Sequence, residues 1–118
     1  MSQYEDFIID QGTDFTIQLE LVDANGSAKD LTGYSSSSQI RKTYSSSDSD
    51  AVSFSTQFQS PRSSGVINLT ITNSQTGLMK AGRYVYDVEI SSLDSADNTI
   101  VERILEGQIT MSPSVTKT

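Results

Sequence analysis

The chain has 118 residues, a size that fits one domain able to bury roughly two-thirds of the surface its unfolded form exposes. Fifteen acidic residues against 8 basic ones leave a formal net charge of −7, which repels phosphate backbones and argues against nucleic acid as a partner. Cysteine and histidine are both absent, so disulfide scaffolds, thiol nucleophiles, histidine-based triads and the usual Cys/His zinc sites are excluded.

The apolar fraction is 35%, and Ser, Thr, Asp and Asn fill much of the remainder, which suits short strands joined by polar turns better than helices. No apolar run approaches the roughly 20 residues of a membrane helix. The acidic opening "MSQYEDFIID" lacks the basic region and apolar stretch of a signal peptide. Together these predict a soluble protein made in a cytoplasm, with no membrane partner.

In chain order, the run before Gly12 reads as a first strand. In "FTIQLELV", residues 15–22, Phe15, Ile17, Leu19 and Leu21 alternate with Thr16, Gln18 and Glu20, the period of a half-buried strand. Asn25-Gly26 marks a tight turn, because both residues accept positive φ. Asp30 to Gly33 reads as another turn, and residues 34–43 as a strand whose first half is serine. Residues 45–50, "SSSDSD", form a polar loop. "AVSFSTQF" puts Val52, Phe54, Thr56 and Phe58 on one face before Pro61 and Gly65 break it. "VINLTIT" turns Ile67, Leu69 and Ile71 inward, and "NSQTGLMKAG" has room for a short turn of helix, with Leu78 and Met79 plugging the core.

"YVYDVEIS", residues 84–91, sets Tyr84, Tyr86, Val88 and Ile90 on one face and Val85, Asp87 and Glu89 on the other. "SLDSADNT" is a hairpin loop, and residues 100–112 form a long last strand. There Val101, Leu105, Ile109 and Met111 share a face interrupted by Arg103, while Ile100 and Ile104 fall on the other, which predicts a bulge or a covered outer side. About seven strands at spacings of roughly 8 to 15 residues fit an all-β fold, an immunoglobulin-like antiparallel β-sandwich, with a small β-barrel matching the period almost as well. The longer crossover between "VINLTIT" and "YVYDVEIS" favours the sandwich, since it resembles the corner where such folds change sheet.

Reactive chemistry is sparse. Asp87 with Glu89, and Glu102 with Glu106, are carboxylates spaced to share a strand face, which is what a solvated face offers without any catalytic purpose. Asp48 and Asp50, and Asp94, Asp97 and Asn98, are hard oxygen ligands in two loops, but neither loop has the spacing, central glycine and closing glutamate of a calcium hand. The reading is no catalytic residue, no cofactor and no metal site. Gly77, Gly82 and Gly107 are isolated, which points to turns or close backbone packing. Tyr34, Tyr84 and Tyr86 read as core residues with satisfied hydroxyls; Tyr4 and Tyr44 are the aromatic candidates for an interface.

Three stretches, "FIIDQGTDFTIQLEL", "DLTGYSSSSQIRK" and "AGRYVYDVEI…VERILEGQITMSPSVT", resemble segments of small immunoglobulin-like β-sandwich proteins found in the virions of tailed bacteriophages. The resemblance spans residues 7–116 and departs at the serine run 35–38, where bulkier residues usually alternate inward. It implies a non-enzymatic virion subunit, an assembly module of the tail or baseplate, made in the host cytoplasm and partnered by other virion proteins and by copies of itself. A head or neck accessory or decoration protein, or a receptor- or carbohydrate-binding module, are the alternatives. Residues 1–118 then form a single domain, with polar arms at about 1–6 and 112–118 that lack partners in the predicted sheet and order on contact. Ser114, Val115 and Thr116 of the second arm join Tyr4 and Tyr44 as expected interface residues.

Overall fold

In the computed structural model, which describes residues 3–43 and 51–115, the alternating runs pair into two sheets. In chain order the elements are β1 (Gln3–Tyr4), β2 (Phe7–Asp10), β3 (Phe15–Glu20), β4 (Ser35–Arg41), β5 (Val52–Ser53), β6 (Ser55–Phe58), β7 (Val66–Ile71), α1 (Asn73–Leu78), β8 (Gly82–Leu93) and β9 (Thr99–Ser112). The larger sheet runs β1-β9-β8-β4-β5 with β2 also on β9, and the smaller runs β3-β7-β6. Two sheets in this order, with the chain crossing between them at β2–β3, β3–β4, β5–β6 and β7–β8, form an immunoglobulin-like β-sandwich.

The crossings explain where the strand pattern needed correction. The segment 51–58 is not one strand: its apolar face is kept, but the chain leaves the larger sheet after Ser53 and enters the smaller at Ser55, with Phe54 buried at the switch. A one-residue step suffices because Phe54 fills the gap between sheets and its N–H donates to the Ser38 carbonyl.

The core lies between the sheets and centres on Tyr86. Its ring meets Phe7 at 5.7 Å and Phe54 at 6.5 Å, and Phe7 meets Phe15 of the facing sheet at 5.8 Å edge-on. Ile17, Ile67, Leu69 and Ile71 oppose Ile40, Val88, Ile90, Leu105 and Ile109 around this aromatic cluster. The serine run is accommodated by hydrogen bonds in place of bulk. Buried Ser38 donates its hydroxyl to the Asp87 carbonyl at 2.6 Å, and Ser36 Oγ donates to Thr56 Oγ1 at 2.7 Å.

At the corner between β7 and β8, Thr72 caps α1 and Gln75 returns the bond, a reciprocal box that fixes the helix start. Thr76 is fully buried and ties α1 to the β2–β3 turn: its hydroxyl donates to the Thr13 carbonyl at 2.7 Å and accepts from the Gly12 N–H at 3.0 Å. Met79 plugs the core as expected, but Leu78 does not, being 88% exposed; Thr76, two residues earlier, occupies the inward position on the helix. The Tyr84 hydroxyl donates to the Lys80 carbonyl at 2.7 Å, the corner bond typical of this fold class.

The N-terminal residues are not an unpartnered arm. β1 and β2 run parallel to β9, with Gln3 opposite Leu105 and Phe7 opposite Ile109. Between them the chain steps over Gly107, where an added Cβ would overlap the Glu5 carbonyl. The bonds there are specific: Glu5 N–H donates to the Glu106 carbonyl, the Tyr86 hydroxyl donates to the Glu5 carbonyl at 2.7 Å, and Gln108 N–H donates to Asp6 Oδ1 at 3.0 Å. The polar side chains of residues 3–6 hid this, because an edge strand is held by its backbone. At the other end Ser112 is still in β9, opposite Asp10, so the second arm is shorter than expected.

β9 carries the expected bulge. Val88 pairs with Leu105 but Glu89 pairs with Arg103, which leaves Ile104 as the extra residue. The bulge flips every side chain beyond it. Val101 therefore joins Arg103 on the outer face and does not continue the Leu105 row, and Glu102 and Glu106 lie on opposite faces.

Candidate functional site

The outer face of the larger sheet carries Asp87, Glu89 and Glu106 of the carboxylates considered above. Arg103 Nε lies 3.4 Å from Asp87 Oδ2, and its Nη2 lies 3.9 Å from Glu89 Oε2, with all three side chains between 36 and 50% exposed. Beside them Arg41 Nη2 donates to Gln39 Oε1 at 2.8 Å. One guanidinium shared by two half-exposed carboxylates is a surface network worth at most about 1 kcal/mol. The bulge builds it, since without the flip Arg103 would face the core side.

The hairpin loop uses its acidic side chains on its own backbone. Asp94 Oδ1 accepts from the N–H groups of Ala96 and Asn98, both at 2.9 Å, and these bonds hold its carboxyl below the usual value. Asp97 sits at φ 64°, which completes the reversal. Among the described residues no group of three or more His, Cys, Asp and Glu side chains is placed to hold a metal ion. Asp48 and Asp50 lie outside the described residues.

Of the expected interface residues, Tyr4 is 60% exposed on β1 opposite Glu106, on the free side of the larger sheet. Val115 is 97% exposed, while Ser114 N–H donates to Gln11 Oε1 at 3.1 Å. Tyr44 and Thr116 lie outside the described residues. Tyr84 and Tyr86 are core residues with bonded hydroxyls, as read; the Tyr86 hydroxyl is pushed well above its ordinary range by burial and then by the neighbouring Glu5 and Asp6 charges.

Two surfaces escaped the sequence reading, and they lie at opposite ends of β8. At the Gly82 end an open groove of about 470 Å³ is lined by Val52, Leu78, Met79 and Ala81, with Lys42 and Lys80 on its rim. Lys42 Nζ lies 4.7 Å over the Tyr84 ring, a cation–π contact that holds the ammonium at the groove wall. At the Leu93 end the β8–β9 hairpin runs past its neighbours: β4 pairing ends at Ser91 and β1 pairing begins at Leu105. Leu93, Ile100 and Val101 are there 64, 47 and 57% exposed. The signal for this tip was in the sequence, as apolar residues on both faces of one strand.

No protein-family model matches the chain, and no curated protein matches it. Among solved structures it is similar to murine CRIg, with 15% identity over 93% of this chain and 92% of that one and a TM-score of 0.48. A likeness of this degree carries no functional argument.

Proposed function

We propose that this chain is a non-enzymatic structural subunit of a tailed-bacteriophage particle, an assembly module of the tail or baseplate that works through contacts with other virion proteins and with its own copies. The observation that carries the reading is that exposed large apolar side chains, which also include Tyr4, Ile8, Val22 and Val115, mark both ends of the sandwich: Leu78 at one, and Leu93, Ile100 and Val101 together at the other. Exposed apolar groups gathered at one place mark contact surfaces. The sequence resemblance over residues 7–116 supplies the virion context, and its quoted segments contain β2, β3, β4 and most of β8 and β9.

Chemistry points the same way. On the outer face Asp87 and Glu89 share the single guanidinium of Arg103 and are half exposed, the arrangement of a solvated surface network and not of an enclosed reactive site. Mass spectrometry of purified particles from a phage carrying this gene should find the chain in multiple copies, and fitting it into density of the intact particle should place it in the tail or baseplate. Absence from purified particles overturns the reading; density in the head or neck moves it to an accessory role.

A further inference from the structure

The two ends of the molecule complement each other in charge as well as in shape. β8 runs from Gly82 to Leu93, which sets its ends ~36 Å apart in a body 50 Å long. The projecting end is a two-stranded tip with apolar Leu93, Ile100 and Val101 and acidic Asp94, Asp97 and Glu102. The receding end is the groove of Val52, Leu78, Met79 and Ala81 rimmed by Lys42 and Lys80, with Arg83 exposed nearby. In a chain of net charge −7 with 8 basic residues, a groove rim that is basic among the described residues is a local reversal of the overall field.

We infer that the hairpin tip of one copy seats in the Leu78 groove of the next, so that copies associate head to tail. Apolar side chains meet apolar side chains at the centre of this contact, and carboxylates meet ammonium groups at its rim, the arrangement of an ordinary protein interface. A projecting tip and a recessed groove on one molecule make the contact heterologous, so it closes into a ring or extends into a filament. Pairing two β3 edges antiparallel about Ile17 is a poorer route. That register would set Asp14 of one copy against Glu20 of the other, and like charges facing across strands repel. The tip is narrow, so a single contact is weak and becomes effective where many copies repeat it.

The inference concerns the isolated chain, so its test is independent of whether the chain belongs to a virion. Because cysteine is absent, Ala96→Cys on the tip and Ala81→Cys at the groove give each variant a single thiol, both at exposed positions, with Leu78 left in place. Mixed under mild oxidation, the two variants should form the tip-to-groove heterodimer in about tenfold excess over either homodimer. Adding Glu102→Lys to the tip variant should remove that excess, and adding Lys80→Glu to the groove variant as well should restore it. Circular dichroism of each variant checks that the fold is kept. Homodimers in equal or greater yield, no disulfide at all, or a heterodimer yield indifferent to the charge reversals would each overturn the inference.

Discussion

The two halves of the β8–β9 hairpin obey different rules although they are the same two strands. From Gly82 to Ser91 and from Leu105 to Ser112 the hairpin is enclosed, with β4 along Val85–Ser91 on one side, β1 and β2 on the other, and the smaller sheet over its inner face. Here Tyr84, Tyr86, Val88, Leu105, Ile109 and Met111 are buried. Past Ser91 in β8 and the bulge at Ile104 in β9 the strands outrun those neighbours, and Leu93, Ile100 and Val101 stand in water. Apart from the bulge at Ile104, pairing within the hairpin runs from Gly82–Met111 to Leu93–Thr99, so backbone bonding is common to both halves and enclosure separates them. A strand pair can thus serve as core at one end and as a reaching surface at the other, with one extra residue turning the outer face between them.

That contrast predicts a steep gradient of mutational effect along one hairpin. Leu105→Ala, in the enclosed half, should lower unfolding free energy by about 2–4 kcal/mol, whereas Val101→Ala in the projecting half should stay within about 0.5 kcal/mol; urea denaturation measures both. Similar losses at the two positions would mean that the tip is packed against something in solution.

Gly107→Ala should cost about 2–3 kcal/mol, because the new methyl meets the backbone of Glu5 and β1 must lift from β9. Hydrogen exchange should show Glu5 N–H losing protection while the amides of β8 opposite β4 keep theirs. Unchanged protection at Glu5 would refute the role of the close passage.

Tyr86→Phe removes the hydroxyl that donates to the Glu5 carbonyl and should cost about 1 kcal/mol. It should also change the alkaline limb. The folded state holds the Tyr86 proton above the ordinary value of 10.0, so the unfolded chain ionises first as pH rises and stability falls from about pH 10 upward. The contribution is fully present below pH 10, and the wild-type urea midpoint should fall more steeply above it than that of Tyr86→Phe.

The smallest effect belongs to the tip. Asp94→Ala removes the carboxylate that caps the loop, so amide exchange at Ala96 and Asn98 should quicken with no change in the global midpoint. Its carboxyl is held below the ordinary value of 3.8 by those two N–H groups. The folded loop therefore gains from ionised Asp94 above that value and loses the gain as pH falls through it, so in acid the wild-type tip should come to exchange like the variant. The enclosed half should weaken in base and the tip should loosen in acid.

The sandwich itself was readable from the chain, because a period of two residues follows from pleated backbone geometry and each apolar row had to find a cover. Phe15 to Leu21, Tyr84 to Ile90 and the expected irregularity near Ile104 all hold. What misled was polarity: residues 3–6 looked like a loose arm, yet a parallel edge strand is bonded through its backbone and leaves little trace in side chains. Leu78 looked like a core plug, yet on so short a helix the inward position fell to Thr76.

The sequence alone settled which stretches extend, where they turn, and that histidine and thiol chemistry are missing, since these depend on residue type and local backbone preference. Only the tertiary structure decided which edge the first strand joins, which side of the bulge each carboxylate occupies, and that an acidic apolar tip and a basic apolar groove end up at opposite ends. Those depend on which distant segments enclose one another, and enclosure is a property of the assembled sheets that no local pattern encodes.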